Sequence, residues 1–286
     1  MKTREDKFSR VNNLYYDEFG RPNGILLVNK PAGMSSHDVV NITRKDLSFK
    51  KVGHAGALDV FASGLLLVLV GRATKLSNDF LNKDKAYVTR VVFGVKTTTQ
   101  DPEGQIIATD KEIILDEEKI TNVLKSFEGG YEQFVSIFSS VKVNGKKLRK
   151  VLREPNWSYE LIITEVGRTI RLTNNNEAEN QYNIEVPKRK IIIYEIKLIE
   201  FGKICGNELP FLDLDSQQEF YYADIYVKTS KGTYIRQLGE DIAERLGTIG
   251  ALASLDRVEL AEWSKQEAIE LQYIKDYAKK LESVSL

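Results

Sequence analysis

Short apolar segments separated by polar turns run along the chain and predict a protein rich in β-strands. Residues 65–70 (LLLVLV) are too few for a helix and stop before a glycine, which indicates a buried strand. In residues 86–94, Tyr87, Val91 and Phe93 share one face at a period of two, which is typical of a strand with one buried face. Three more strand-like segments lie at 25–28, 190–201 and 219–230.

Helical spacing of apolar residues occurs in fewer places. Ser35 and Asp38 have the spacing of a capping box at the start of a helix. Residues 116–130 predict a second helix, which Asp116 would cap and the glycine pair at 129–130 would end. Strands grouped between separated helices favour an α+β fold over a repeated βαβ array.

The balance of charge gives no indication of a polyanionic partner. Among 286 residues, 41 are Lys or Arg and 41 are Asp or Glu, so nucleic-acid binding would have to rely on local clusters. The single cysteine, Cys205, excludes an internal disulfide and, with only two histidines in the chain, argues against a zinc site. The longest apolar run is far shorter than the roughly 20 residues of a membrane helix, and the N-terminus lacks the apolar core of a secretory signal. We therefore expect a cytoplasmic protein with no metal.

Residues 53–64 (GHAGALDVFASG) surround one carboxylate, Asp59, with glycines and alanines. The segment lacks the Gly-Lys pair of a phosphate-binding loop. A Ser-His-Asp triad is compatible with the order of residues, although neither histidine lies in a recognisable nucleophile setting. The functional interpretation that remains is a carboxylate that acts without a cofactor. For this segment alone, a tight turn with a solvated aspartate is the simpler interpretation.

A basic residue near the start of a third predicted helix suggests an anionic partner. This helix follows Gly232, carries apolar residues on one side and ends at Gly247. If Thr233 caps it, Arg236 occupies the third helical position, where the helix dipole disfavours a cation by roughly 0.3–1 kcal/mol. A nearby anion would offset this cost, and an arginine that extends into solvent is the simpler alternative.

Five segments carry a resemblance that spacing alone does not supply. In chain order they read GILLVNKPAGMSSHDVV, GHAGALDVFASGLLLVLVGRATKLS, KAYVTRVVFGVKTTTQDPEG, SSVKVNGKKLRK and KTSKGTYIRQLGEDIAERLG. From about Gly24 to about Trp263 the chain resembles the TruB family of tRNA pseudouridine synthases. The resemblance implies an α+β pseudouridine synthase fold, with a central mixed, largely antiparallel sheet flanked by helices and loops. It also implies isomerisation of uridine to pseudouridine at position 55 in the T-loop of tRNA, with no cofactor and no metal.

The resemblance implies three catalytic residues. Asp59 matches the catalytic aspartate; attack on C1′ of the sugar, attack on C6 of the base and removal of a proton from the sugar all stay open as its route. Tyr87 matches the tyrosine that packs on the target base, and Arg236 matches the arginine that pairs with the aspartate. The glycines and alanines around Asp59 would then leave room for a nucleotide extruded from its stack. The family usually has proline after the aspartate, where this chain has Val60.

Further residues match positions of the family that bind substrate or lie beside the RNA. The substrate-binding residues implied by the resemblance are His54, Tyr234, Leu255 and Lys30. The expected contacts to the RNA backbone come from a basic segment and are Lys142, Lys146, Lys147 and Lys150. A solvated helix over 146–153 is the simpler interpretation of that segment, and a helix with one apolar and one basic side would satisfy both.

The predicted organisation is a polar lead-in at 1–23, a catalytic domain at 24–264 and a short C-terminal helix at 265–286, with no full PUA module. We expect an RNA-gripping insertion at about 131–190, in which the polar residues 174–183 predict a mobile segment. The last apolar-periodic stretch, 264–281, is predicted to be one helix.

The T-stem-loop of tRNA is the expected partner, with no membrane and no required protein partner, and we expect a monomer. A catalytically weak RNA-binding or tRNA-folding protein on the same scaffold is the main alternative function. A carboxylate-dependent hydrolase that releases free uracil is a third.

Overall fold

The computed structural model describes residues 12, 14–137, 142–143, 146–147, 150, 152, 155–164, 167–176, 181–211 and 214–276. The strands in these residues are β1 (Tyr15–Tyr16), β2 (Pro22–Lys30), β3 (Val52–Ala55), β4 (Ser63–Val70), β5 (Lys85–Phe93), β6 (Val95–Thr97), β7 (Ile106–Thr109), β8 (Gly129–Phe134), β9 (Lys142–Val143), β10 (Lys146–Lys147), β11 (Trp157–Ile163), β12 (Arg168–Asn174), β13 (Gln181–Glu185), β14 (Lys188–Cys205), β15 (Glu219–Thr229), β16 (Gly250–Leu260), β17 (Trp263–Ser264) and β18 (Ile269–Glu270). The α-helices that lie wholly within these residues are α1 (Ser36–Asp46), α2 (Ser77–Leu81), α3 (Glu117–Lys125) and α4 (Ile235–Arg245). Shorter 3-10 helices lie at Gly71–Leu76, Gly206–Glu208, Lys265–Glu267 and Leu271–Tyr273.

A single central sheet contains 11 of these strands. Its main order is β1-β2-β4-β16-β5-β15-β14-β8, while β3 pairs with β4, β17 with β16 and β18 with β2. Strand pairs β4–β16 and β2–β18 are parallel, and the others in this sheet are antiparallel. The predicted α+β class with a mixed, largely antiparallel sheet is therefore confirmed.

Strand β4 accounts for the continuous apolar run at 65–70. It pairs with β2 along one edge and with β3 and β16 elsewhere, so it lies inside the sheet. Its side chains alternate between two apolar clusters, one containing Leu66 and Val68 and the other Leu65 and Leu67. Both faces of the strand are thus buried, which removes the alternation that a half-exposed strand would show. The predicted buried strand is confirmed.

Helices α3 and α4 cover the face of the sheet that carries the predicted apolar stripe of β5. Tyr87, Val91 and Phe93 all belong to the largest apolar cluster. The helical residues that join this cluster are Ile120, Leu124, Ile235, Leu238, Ile242 and Leu246. Helix α1 begins with the predicted capping box, in which the Ser35 hydroxyl accepts from the Asp38 amide.

Two helix predictions differ from the structure. The helix predicted over 116–130 begins as expected after the Asp116 cap but ends at Lys125. Gly129 starts β8 instead, because its backbone pairs with Ile193 of β14 and so continues the sheet. The glycine pair at 129–130 therefore belongs to a strand and does not end the helix.

The C-terminal helix predicted over 264–281 is wrong for residues 264–273. The Ser264 hydroxyl accepts from the Gln266 amide and closes a 3-10 turn, after which Ile269 pairs with Val28 in the parallel β2–β18 ladder. Ile269 and Leu271 pack on the cluster that α1 covers, so their apolar spacing reflects this packing rather than a helix face. Residues 277–281 lie outside the described residues.

The predicted insertion at about 131–190 contains a separate three-stranded sheet, β11-β12-β13. Its apolar cluster contains Ile170, Leu172 and Ile184. The polar segment 174–183 connects β12 to β13; its residues 177–180 lie outside the described residues, so its mobility stays a prediction. Among the described residues, no helix is long and apolar enough to cross a membrane.

Gly64 permits the close approach of β16 to β4. Its φ is +107°, and a β-carbon at this position would lie 2.4 Å from the Arg257 carbonyl oxygen. The parallel pairing of Gly64 with Arg257 therefore requires the absence of a side chain.

We expect Gly64→Ala to lower the free energy of unfolding by roughly 2–4 kcal/mol, since the new methyl group meets backbone and the φ value is strained. Gly20→Ala is a matched control, because Gly20 has φ +68° but nothing within 4 Å of the added carbon. Urea unfolding of the two variants measures the difference. Equal losses at both positions would show that conformational strain alone, and not the approach of β16, sets the requirement.

Candidate active site

Asp59 lies on the loop between β3 and β4, and other segments hold this loop in place. The Val60 carbonyl accepts from the Gly33 amide at 2.8 Å, and the Leu58 amide donates to the Ser36 hydroxyl at 2.9 Å. The Asp59 side chain is 42% exposed. A carboxylate on a fixed backbone thus remains open to solvent.

The Arg236 guanidinium lies between two carboxylates. Its Nε is 3.0 Å from Oδ2 of Asp59, and its Nη1 is 2.8 Å from Oδ2 of Asp101. Nη1 also donates to the Thr99 carbonyl at 3.0 Å. The anionic partner that the sequence suggested for Arg236 is therefore present, together with a second one.

The cap of helix α4 differs from the predicted one by one residue. Tyr234 is the N-cap and makes no side-chain capping bond, so Arg236 is the second helical residue rather than the third. The Thr233 hydroxyl donates to the Ser230 carbonyl at 3.0 Å and therefore stabilises the preceding turn. The argument from the helix dipole still holds, because the second position also lies in the first turn.

Asp101 is a site residue that the sequence did not reveal. Its side chain is fully buried, whereas the sequence placed it in an ordinary turn at 99–104. Its Oδ1 also accepts from the Glu103 amide at 3.0 Å. Burial raises the pKa of Asp101, and the Arg236 charge opposes this shift. Aspartate is common in turns, so the residue type alone did not indicate that Asp101 belongs to the site.

Tyr87 and Leu255 lie in the apolar cluster that also contains Leu58, next to Asp59 in the chain. Burial raises the pKa of the Tyr87 hydroxyl, and the Asp59 charge acts in the same direction. Tyr87 therefore keeps its proton at neutral pH. The structure thus brings the predicted Asp59, Tyr87, Arg236 and Leu255 into one region.

His54 and Tyr234 approach this region from two other elements. His54 lies on β3, and its buried Nδ1 has no hydrogen-bond partner among the described residues. Burial lowers the pKa of His54, and the positive charge of Arg257 lowers it further. The Tyr234 backbone is held by the Gln133 side chain, which accepts from its amide at 2.9 Å and donates to its carbonyl at 3.1 Å.

Lys30 has a different position from the one its predicted role in substrate binding requires. The side chain is fully buried, and its Nζ donates to the carbonyls of Pro31 at 2.9 Å, Met34 at 2.6 Å and Val60 at 3.4 Å. Burial lowers the pKa of Lys30 to about 8. Because carbonyls accept from all three of its N–H donors, the ammonium stabilises the backbone at the Asp59 loop and has no donor left for a substrate.

Other parts of the protein occupy most of the space beside the glycines and alanines around Asp59. This differs from the prediction that these small residues leave room for a nucleotide. Ala55 and Ala62 are fully buried. Gly64 admits β16, and a β-carbon on Gly56, where φ is +78°, would lie 3.4 Å from Nη1 of Arg257. Small residues here let the loop pass close to other parts of the chain.

Comparison with known proteins identifies the family. The sequence profile of the TruB family pseudouridylate synthase (N terminal domain) matches residues 44–166. The tRNA pseudouridine synthase B of Caldicellulosiruptor saccharolyticus is 37% identical over 254 residues, which cover 89% of this chain and 73% of that protein. This chain belongs to the TruB family. The tRNA pseudouridine synthase B of Mycoplasma mycoides subsp. mycoides is 35% identical over 252 residues, which cover 88% of this chain and 72% of that protein.

Solved structures share the fold of this TruB family member. In a Cbf5–Nop10–Gar1 complex, one chain superposes with a TM-score of 0.59 at 21% identity, over 96% of this chain and 62% of that one. In an archaeal box H/ACA sRNP Nop10–Cbf5 complex, one chain superposes with a TM-score of 0.53 at 22% identity, over 92% of this chain and 56% of that one. The chain therefore spans less than two thirds of these solved chains. The pseudouridine synthase fold expected from the resemblance is confirmed.

The basic segment forms a hairpin where the structure describes it. Lys142 lies on β9, and Lys146 and Lys147 on β10, with Lys146 opposite Val143 and Lys147 opposite Lys142. Lys150 is exposed. The helix interpretation of 146–153 is therefore wrong for Lys146 and Lys147, and residues 148, 149, 151 and 153 lie outside the described residues.

A buried polar network extends from the candidate site of this TruB protein to the small sheet. Gln100, beside Asp101, donates to Oε2 of Glu240 at 2.6 Å. Arg168 of β12 donates to the same Glu240 oxygen at 3.3 Å and lies 3.9 Å from Asp241. Burial raises the pKa of Asp241 to about 6, although Gln237 and Arg168 oppose this shift.

Asp241 should make folding less favourable as pH rises. Its folded pKa of about 6 exceeds the ordinary 3.8, so between these values the folded state binds more protons than the unfolded state and the free energy of unfolding falls. Between about pH 4 and about pH 7, the wild type should lose up to about 3 kcal/mol relative to Asp241→Asn. Urea titrations at several pH values measure this, with Asp79→Asn on the exposed side of α2 as control. Parallel pH profiles for wild type and Asp241→Asn would contradict the expectation.

Proposed function

We propose that this protein isomerises uridine to pseudouridine in the T-loop of tRNA, at position 55, and that Asp59 is its catalytic residue. The observation that carries the proposal is the half-exposed Asp59 carboxylate, held at 3.0 Å by an arginine that a buried carboxylate also binds. The relatives named tRNA pseudouridine synthase B support the reaction and the class of RNA.

The reaction requires a carboxylate at a fixed place and no redox partner. The glycosidic bond to N1 of uracil breaks, C5 of the same base bonds to C1′ of the sugar, and the C5 proton is removed while N1 takes up a proton, so no atom is gained or lost overall. Asp59 can begin this sequence by attack on C1′, by attack on C6 or by removing a proton from the sugar. In each route the Arg236 guanidinium, with its Nε 3.0 Å from Oδ2 of Asp59, fixes the direction of the carboxylate.

Tyr87 and Leu255 supply the apolar surface beside this carboxylate. Both are less than 10% exposed and share a cluster with Leu58. A uracil ring extruded from the T-loop can pack against such a surface, which compensates for the stacking that it loses. Because burial raises the pKa of Tyr87, its hydroxyl keeps its proton when the substrate arrives.

His54 and Tyr234 would contact the RNA around the extruded nucleotide. The pKa of His54 is lowered by burial, so the imidazole meets RNA in its neutral form at physiological pH. A neutral imidazole can donate or accept one hydrogen bond and can stack on a base, but it does not neutralise a phosphate.

We expect Asp59→Asn to lower pseudouridine formation by at least about 10³-fold while the affinity for tRNA changes little, because phosphate contacts elsewhere carry most of the binding. The assay incubates the protein with a T-stem-loop transcript and measures pseudouridine and free uracil. Asp79→Asn, at an exposed position, is the control. Binding without conversion by the wild type would support a tRNA-binding protein instead, and release of uracil would support a hydrolase.

We also propose that the basic segment binds the tRNA backbone. Each lost phosphate contact lowers the slope of log affinity against log salt by somewhat less than one. Reversal of Lys146, Lys147 and Lys150 to Glu should therefore weaken binding at low salt and reduce the slope by about two. Reversal of Lys111 and Lys125, which are exposed elsewhere, should change the slope less per charge. An unchanged slope in the triple variant would place the contacts on another surface.

A further inference from the structure

Gln100 has a strained backbone at the turn that holds Arg236, and neither the sequence nor the proposed reaction explains this strain. Its φ is +66°, in the left-handed region that residues other than glycine, asparagine and aspartate rarely adopt. Strained residues of this kind persist only where several surrounding contacts fix them, and they often lie at functional sites. The contacts of Gln100 therefore indicate what the strained conformation maintains.

The two neighbours of Gln100 both bind the guanidinium of Arg236. The Thr99 carbonyl accepts from Nη1 at 3.0 Å, and Oδ2 of Asp101 lies 2.8 Å from the same nitrogen. A different nitrogen of the group, Nε, lies 3.0 Å from Oδ2 of Asp59. Because a guanidinium is planar and rigid, the orientation of this turn sets the direction in which Nε faces Asp59.

The side chain of Gln100 binds this turn to the helix that carries Arg236. Its Nε2 donates to Oε1 of Gln237 at 2.8 Å and to Oε2 of Glu240 at 2.6 Å, and both of these residues lie on α4. Its Oε1 accepts from the Ser136 hydroxyl at 3.2 Å. Both N–H groups and the oxygen of the amide thus have partners within the protein.

These bonds hold Arg236 at both of its ends. Its backbone lies in the first turn of α4, directly before Gln237, and its guanidinium lies at the turn whose middle residue is Gln100. An arginine side chain has many rotamers, so it keeps one direction only when its helix and its acceptors stay at a fixed separation. The amide of Gln100 links the helix to the acceptors and so fixes this separation.

Backbone contacts of the same turn provide an alternative explanation for its conformation. The Gln100 carbonyl accepts from the Leu252 amide at 3.1 Å. The Thr97 hydroxyl donates to the Asp101 carbonyl at 2.8 Å and accepts from the Asp101 amide at 3.1 Å. These bonds do not involve the side chain of Gln100, and glycine adopts a positive φ without strain. A substitution by glycine therefore separates the role of the amide from that of the backbone.

We propose that Gln100 is a positioning residue, whose side-chain amide holds the turn at 99–101 against α4 and thereby sets the direction in which Arg236 faces Asp59. This proposal rests on the proposed function, because the aligned pair would act on the extruded uridine. It predicts that Gln100 contributes to kcat through Arg236 and contributes little to the affinity for tRNA.

Two substitutions of Gln100 test the role of its amide. Gln100→Asn keeps the amide and tolerates a positive φ, but it is one methylene shorter and cannot reach both acceptors on α4. Gln100→Gly removes the amide and relieves the strain, so the chain should still fold. In both variants we expect kcat on a T-stem-loop transcript to fall by about 10- to 100-fold, with the Kd for that RNA within about threefold. Gln217→Asn, at an exposed position, is the matched control and should keep the wild-type kcat.

A wild-type kcat in Gln100→Gly would show that only the backbone conformation matters and would overturn the proposal. A rise in Kd that accounts for the loss would do the same, because it would place Gln100 among the RNA contacts. A double-mutant cycle with Arg236→Lys, measured in single turnovers with excess enzyme, tests the path of the effect. In that background Gln100→Asn should lower the rate by less than about twofold, and a loss as large as in the wild type would contradict an effect through Arg236.

A measurement without RNA tests the positioning separately from catalysis. The Nε hydrogen of Arg236 gives a nitrogen–proton NMR signal, which Arg236→Lys identifies by removing it. Exchange of this hydrogen with water should become at least about fivefold faster in Gln100→Asn and stay unchanged in Gln217→Asn, because a guanidinium without a fixed direction opens its bond to Asp59 more often. Unchanged exchange in Gln100→Asn would overturn the proposal. Absence of pseudouridine formation by the wild type would instead overturn the proposed function and would not alter this result.

Discussion

The placement of one guanidinium between two carboxylates determines how the candidate site is built. Arg236 neutralises only one of the two negative charges that it contacts, and Asp101 is the one that is fully buried. A buried carboxylate depends on this ion pair, since without a cation its desolvation would be large. Asp59, in contrast, is 42% exposed and retains water. The remaining negative charge therefore resides on the side chain that faces the solvent, where a substrate arrives.

Local sequence patterns predicted the strands and the helix around Arg236 and its two carboxylates, but they did not predict all of the residues that take part. The period of two in β5, the apolar run of β4 and the helix after Gly232 are properties of neighbouring residues, and the structure has all three. Arg236 drew attention because a cation in the first turn of a helix opposes the local field. Asp101 gave no such signal, because its contact with Arg236 joins residues 135 positions apart in the chain. The helix predicted for the C-terminal segment is wrong because its apolar residues pack on a cluster from distant parts of the chain. This packing produces helical spacing without a helix.

The Asp59 loop shows how hydrogen bonds can replace a covalent restraint. Proline after Asp59 would restrict the backbone of the aspartate to extended conformations. This chain has Val60, and the carbonyl of that residue accepts from the Gly33 amide and from the Lys30 ammonium. Two donors from outside the loop thus fix the residue after Asp59. The burial of Lys30, which a role in substrate contact would not require, is explained by this support.

The same backbone turn that holds Arg236 also belongs to the polar network of the small sheet. Gln100 lies between Thr99 and Asp101, both of which contact Arg236, and its φ is +66°, which a residue other than glycine adopts only when its surroundings enforce it. Its side chain donates to Glu240, the partner of Arg168 on β12, and its carbonyl accepts from the Leu252 amide at 3.1 Å. A displacement of β12 would therefore act on the turn at 99–101 and through it on Arg236. One continuous set of hydrogen bonds therefore joins the small sheet to the turn that holds Arg236.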